Sequence, residues 1–143
     1  MKHFPLLLAV TMMCVSCCAL RTHKASFANT RWTSTFEEFV ADIGTETVTF
    51  TLSFGAEKDF TLEEKSFLPA HPATYMNPDG TVDTLPAISR EYTLRGTYTQ
   101  KGTDLLLTTE DGTLHTLQIL PDRLVSDDLS YQKLLFEKAA PEN

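Results

Sequence analysis

The strictest constraint on this chain is a period of two. From Thr47 to Phe54, the apolar residues Val48, Phe50, Leu52 and Phe54 alternate with Thr47, Thr49, Thr51 and Ser53. Successive side chains of an extended strand point to opposite faces, so this run has one apolar and one hydroxyl-bearing face, as a half-buried strand does. The same alternation sets Tyr92, Leu94, Gly96 and Tyr98 against Thr93, Arg95, Thr97 and Thr99. Gly96 among large residues marks a bend or bulge.

Turn residues fall where this period requires them. Ile43-Gly44 ends a first strand at about Trp32–Val40, and Asp59–Phe67 follows the second strand. Lys101-Gly102 precedes Leu105-Leu106-Leu107, and Asp111-Gly112, a strong hairpin dipeptide, precedes Thr113–Leu120. Pro121-Asp122 and Asp127-Asp128 bracket a short strand at Arg123–Val125, and Tyr131–Glu137 closes the chain. Thr35–Asp42 and Asp59–Phe67 each retain a short helical option, the latter through Leu62-Glu63-Glu64-Lys65. The expectation is an all-β domain, a sandwich or an up-and-down barrel. A barrel of about eight antiparallel strands is favoured because closure leaves no exposed edge. The segment Pro69–Ala87 breaks the rhythm: it holds four of the seven prolines and no sustained period. Loops this long are usually functional or disordered, and Tyr75-Met76 is a candidate cap on the barrel.

The start of the chain follows different rules. Met1-Lys2-His3 is a short basic beginning, and Phe4–Val15 is a mostly apolar run of twelve residues. About twenty are needed to span a bilayer, so the run reads as the hydrophobic region of a signal peptide. All three cysteines, Cys14, Cys17 and Cys18, lie at its end, leaving none in the body for a disulfide or a thiolate metal site. Cys14-Val15-Ser16-Cys17 resembles the lipobox of bacterial lipoprotein precursors, with Cys14 where leucine is usual. The shifted frame ending at Cys18 and ordinary cleavage after Ala19 are the competing readings. The resemblance implies a diacylglyceryl group on Cys17 (alternatively Cys18). The organisation is then a signal peptide at 1–16, a lipidated N-terminus and polar tether at 17–30, a β domain at 31–138 and a tail at 139–143.

Charge narrows the partners. The net charge is −7, and −8 without residues 1–16, whose only charged side chain is Lys2. An acidic body argues against nucleic acid and against a basic patch for anionic lipid. Membrane contact is expected through the lipid anchor instead.

The body resembles the small lipocalin-like (calycin-type) domains of bacterial envelope lipoproteins. The features that carry the likeness are Trp32 on the first strand, the Tyr-x-Leu-x-Gly-x-Tyr element at Tyr92–Tyr98, the Asp-Gly hairpin and a last strand ending near Phe136. Thr30 stands where lipocalins carry glycine, and Arg123 is the candidate for their late arginine lying across the tryptophan. The resemblance implies an up-and-down barrel, with Trp32, Tyr75, Tyr92 and Tyr98 as candidate ligand contacts.

No nucleophile elbow, zinc-binding helix motif, P-loop or dinucleotide fingerprint occurs. His71 falls in the irregular loop and His115 on a strand, without ligand spacing, so loop surface and strand face are their ordinary readings. Glu63-Glu64, Glu110-Asp111 and Asp127-Asp128 read as solvated charge near turns. The expectation is a non-enzyme without cofactor or metal, held in the cell envelope, with the outer membrane facing the periplasm favoured. Its function is binding, of a small apolar ligand or of an envelope partner through the 69–87 loop. The alternative is an assembly or inhibitor-type module with a filled barrel. Phe50, Phe54, Phe60, Tyr92 and Tyr98 are large and only Gly96 opens space, which tilts the reading toward a filled interior.

Replacing both Cys17 and Cys18 by Ala is expected to release the protein from the membrane fraction or to block its processing. An intact mass of the wild-type N-terminus without acyl groups would contradict the anchor.

Overall fold

The computed structural model describes residues 26–41 and 43–140; the leader, Cys17 and Cys18 lie outside them. Eight strands close into a barrel: β1 (Thr30–Val40), β2 (Gly44–Phe54), β3 (Asp59–Leu68), β6 (Ile88–Lys101), β7 (Asp104–Thr109), β8 (Leu114–Ile119), β9 (Arg123–Ser126) and β10 (Leu134–Lys138). Each pairs antiparallel with the next, and β10 returns to β1. Among the described residues there is no helix: Thr35–Val40 of the first helical option and all of Asp59–Phe67 are strand, and Asp42 lies outside the described residues.

The alternation sets the register. Leu52 faces Leu62 across β2 and β3, and Leu62 faces Leu94 across β3 and β6, which lines one apolar row around the inside. Leu52, Leu105, Leu107, Leu117, Leu124, Leu134 and Phe136 are fully buried in the lower half. Burying such a side chain contributes about 1.5–3 kcal/mol, so these residues are a large part of what holds the barrel together.

Phe27 completes that core from outside the strands. The expected tether contains it, yet it is 3% exposed and closes the lower end of the barrel, 5.3 Å from the Phe54 ring and 6.1 Å from that of Trp32. Tyr98 packs edge-on against Phe54 at 4.8 Å. Burial, with the charge of Asp59 as a smaller cause, pushes the Tyr98 phenol pKa up.

Gly96 opens no interior space. A Cβ there would stand 1.9 Å from the backbone oxygen of Thr108, because β7 crosses β6 at that point. The glycine allows the close approach that turns the sheet into a barrel. At the Asp-Gly hairpin, Gly112 has φ 87°, and Asp111 accepts from the Thr109 hydroxyl and the Thr113 amide. Those bonds, the Thr109 hydroxyl foremost, lower the Asp111 pKa to about 2.

The Pro69–Ala87 segment is an ordered hairpin inserted between β3 and β6, with strands β4 (His71–Pro72) and β5 (Thr84–Leu85). Asn77 ties its tip by donating to Thr81 Oγ1 and Asp83 Oδ1, both at 3.1 Å. His71 is buried rather than on the loop surface, its Nδ1 3.1 Å from the Pro69 carbonyl.

Phe136→Ala is expected to cost about 3–5 kcal/mol in chemical denaturation, against less than about 0.5 kcal/mol for Thr93→Ala on the exposed outer face. Gly96→Ala is expected to cost at least the roughly 1–3 kcal/mol of an overpacked site. Equal losses at Phe136 and Thr93 would contradict the register.

Candidate functional site

Strand lengths decide where the interior stays empty. β1, β2, β3 and β6 run for 11, 11, 10 and 14 residues, while β7, β8, β9 and β10 run for only 6, 6, 4 and 5. At about 3.3 Å per residue, one wall of the barrel stands well above the other. β10 pairs with β1 only at Trp32 and Thr33, and the β7 ladder on β6 begins at Gly96. Above these points the four long strands form a curved wall whose inner face has no opposite sheet. A cavity of about 550 Å³ fills the gap, opening at the end opposite Phe27.

Phe50 and Val48 from β2 form its floor, 3% and 7% exposed. Phe36 from β1 stacks on Phe50 with centroids 6.3 Å apart, and Tyr131 meets Phe36 edge-on at 6.3 Å. Tyr92 lines the β6 side and is 59% exposed to the opening. Above the aromatic floor the inward positions turn polar: Glu38 on β1, Glu46 on β2, Glu64 and Ser66 on β3, and Arg90 on β6.

Register places these groups against one another. Glu38 stands directly opposite Glu46, Glu64 opposite Tyr92, and Ser66 opposite Arg90. Like charges directly opposed across a ladder are destabilising, so the Glu38–Glu46 pair costs stability. The Tyr131 hydroxyl donates to Glu38. That bond is the main cause raising the Tyr131 pKa, followed by desolvation and by the charges of Glu38 and Glu46. The carboxylates of Glu46 and Glu64 have no hydrogen-bond or ion-pair partner among the described residues. Ser66 is 9% exposed and its hydroxyl likewise has no partner there.

The short-walled side is held by Asp128. Its carboxylate accepts from the Thr116 amide at 2.9 Å and the Ser126 hydroxyl at 2.9 Å, with His115 Nδ1 at 3.8 Å. These bonds fix the connection from β9 to β10, which carries Leu129, Ser130 and Tyr131 to the cavity. Asp128 is thus a structural clamp as well as turn charge, and His115 faces the interior beside it.

The candidate ligand contacts separate. Tyr92 lines the cavity. Trp32 and Tyr98 pack at the closed end, where the Trp32 indole donates to Thr30 Oγ1 at 3.0 Å. The Arg123 guanidinium grips Asp122 at 2.7 and 3.0 Å instead of lying across that indole. Tyr75 and Met76 are 56% and 68% exposed on the inserted hairpin, and neither lines the cavity, so the expected cap is not formed. Sequence reasoning missed Glu38, Glu46, Glu64, Ser66 and Arg90. Their signal was polarity at inward positions near one end of four neighbouring strands. The filled interior expected from Phe50, Phe54 and Phe60 holds for the lower half alone.

No family model matches the chain, and no curated protein or solved structure is significantly similar to it.

Proposed function

We propose that the chain is a lipid-anchored envelope protein whose barrel is a non-catalytic binding domain, taking a small ligand in its open mouth. The cavity carries this reading. Its volume of about 550 Å³ falls within the roughly 300–1,000 Å³ of small-molecule sites, and an aromatic floor with a few convergent polar groups is the usual composition of one. Eight-stranded barrels have an interior that side chains fill or that holds one small ligand. Here packing does the first below Phe50 and leaves room for the second above it. The lipocalin-like assignment rests on this plan of eight consecutive antiparallel strands with a site at the mouth.

The non-catalytic part of the reading draws on the polar groups. Ser66 has no histidine hydrogen-bonded to it, and His71 and His115 are engaged elsewhere. A hydroxyl without an adjacent base is a poor nucleophile. The anchor part draws on the sequence, and the fold suits it. The chain enters the body through Phe27 at the closed end, the end opposite the cavity, so an anchor on Cys17 would leave the mouth free of the attachment point. An outer-membrane anchor facing the periplasm would present the opening to solutes there.

Ser66→Tyr, which puts a ring into the cavity, is expected to abolish saturable binding of small aromatic probes while leaving the barrel folded by circular dichroism. Shortening Thr74–Leu85 to a tight turn is expected to leave that binding intact, since no residue of 69–87 lines the mouth. Loss of binding on shortening the hairpin, with no loss in Ser66→Tyr, would move the function to the loop.

A further inference from the structure

Resting on the mouth as the binding site, we propose that its ligand is a small organic cation: an ammonium or amidinium group on a flat apolar body. The recognition elements are Glu46 and Glu64 for the charge, and Phe36, Phe50, Tyr92 and Tyr131 for the body.

Three observations converge. First, the carboxylates have no structural use where they stand. Glu46 and Glu64 are half-buried on the inner face, and neither has a partner among the described residues. Glu46 moreover faces Glu38 directly across the ladder. Interior positions carrying uncompensated like charge are the reverse of what stability requires, and an incoming cation would relieve both costs together. Second, Ser66 adds an unpartnered hydroxyl to the same wall, nine-tenths buried and facing the cavity. It offers an acceptor for an N–H donor. Third, four aromatic rings, Phe36, Phe50, Tyr92 and Tyr131, line the same cavity as the carboxylates. Phe36 stacks on Phe50, and Tyr131 stands at right angles to Phe36. Ring faces attract a cation within about 6 Å, and several rings around one ammonium group are the recurring means of recognising it.

Arg90 is the one cation of the cavity, opposite Ser66 on the long β6 edge, and it forms no ion pair with Glu46 or Glu64. Against three inward carboxylates it leaves the mouth net negative. Fatty acids and other anionic amphiphiles, the simplest apolar ligands for a barrel, are therefore disfavoured: their carboxylate would meet Glu38, Glu46 and Glu64 in a partly dry site.

Calorimetric titration of the full-length protein in non-ionic detergent with three probes of one body tests this: 2-phenylethylammonium, 2-phenylethanol and phenylacetate. The expected order is ammonium tightest by about tenfold or more over the alcohol, with phenylacetate weakest. The double variant Glu46→Gln/Glu64→Gln is expected to erase the ammonium's advantage while still binding the alcohol. An alcohol or phenylacetate that binds as well as the ammonium would overturn the charge preference and leave the mouth as a site. An ammonium advantage that survives the double variant would overturn the assignment to these carboxylates. Binding of none of the three would overturn both the cation and the mouth.

Discussion

An eight-stranded sheet closed on itself encloses a space about one side chain deep from every wall, and everything else in this protein depends on how that space is filled. Seven fully buried leucine and phenylalanine side chains, with Phe27 tucked in below them, fill it for the height of the four short strands. Above that height only β1, β2, β3 and β6 continue, and no strand stands opposite to pack against them, the β9–β10 connection alone reaching over with Leu129, Ser130 and Tyr131. Closure is helped in turn by Gly96, where the β7 backbone comes so near that no side chain fits. The tight lower barrel and the open upper one are thus two results of one mismatch in strand length.

The change in chemistry along the inner wall follows the change in packing. Where strands face one another across the barrel, inward positions are mostly leucine and phenylalanine. Where the opposite wall is missing, the same strands carry Glu38, Glu46, Glu64, Ser66 and Arg90 over an aromatic floor. Polar residues at a solvated opening need no special reason. Two glutamates opposed across one ladder, beside a third without a partner, do need one, because the arrangement costs stability. Binding sites are where such costs are retained, since a ligand supplies the missing interaction. The Asp128 clamp fits the same view, spending a half-exposed carboxylate on holding Tyr131 over the cavity.

Much of the barrel was legible in the sequence, because a period of two admits little else. The barrel strands lie where alternation and turn residues put them, except that the last begins at Leu134 and leaves Tyr131 in the connection before it; Asp59–Leu68 resolved as strand despite its good helix formers, since Phe60 and Leu62 continue the inward row. Phe27 was hidden by its polar neighbours, Ser26 and Asn29, which mark a tether when read locally. The β4–β5 hairpin was hidden by its prolines and by strands of two residues, too short to show a period. The site was legible only in part. Tyr92 was singled out, but Glu64 was grouped with Glu63 as turn charge, although alternation sends Glu64 inward on the row of Phe60 and Leu62. What alternation cannot supply is strand height, which depends on partners distant in the chain. Without it an inward glutamate in the core and one at an open mouth look the same.

The central claim is that the mouth carboxylates are kept for a ligand at the expense of the fold. It is tested most directly by the melting temperature of Glu46→Gln with no ligand added. Removing one charge from the Glu38–Glu46 pair should gain up to about 1 kcal/mol, a rise of roughly 2–6 °C for a domain of this size. A melting temperature that falls instead would mean that Glu46 stabilises the barrel, and would contradict the account.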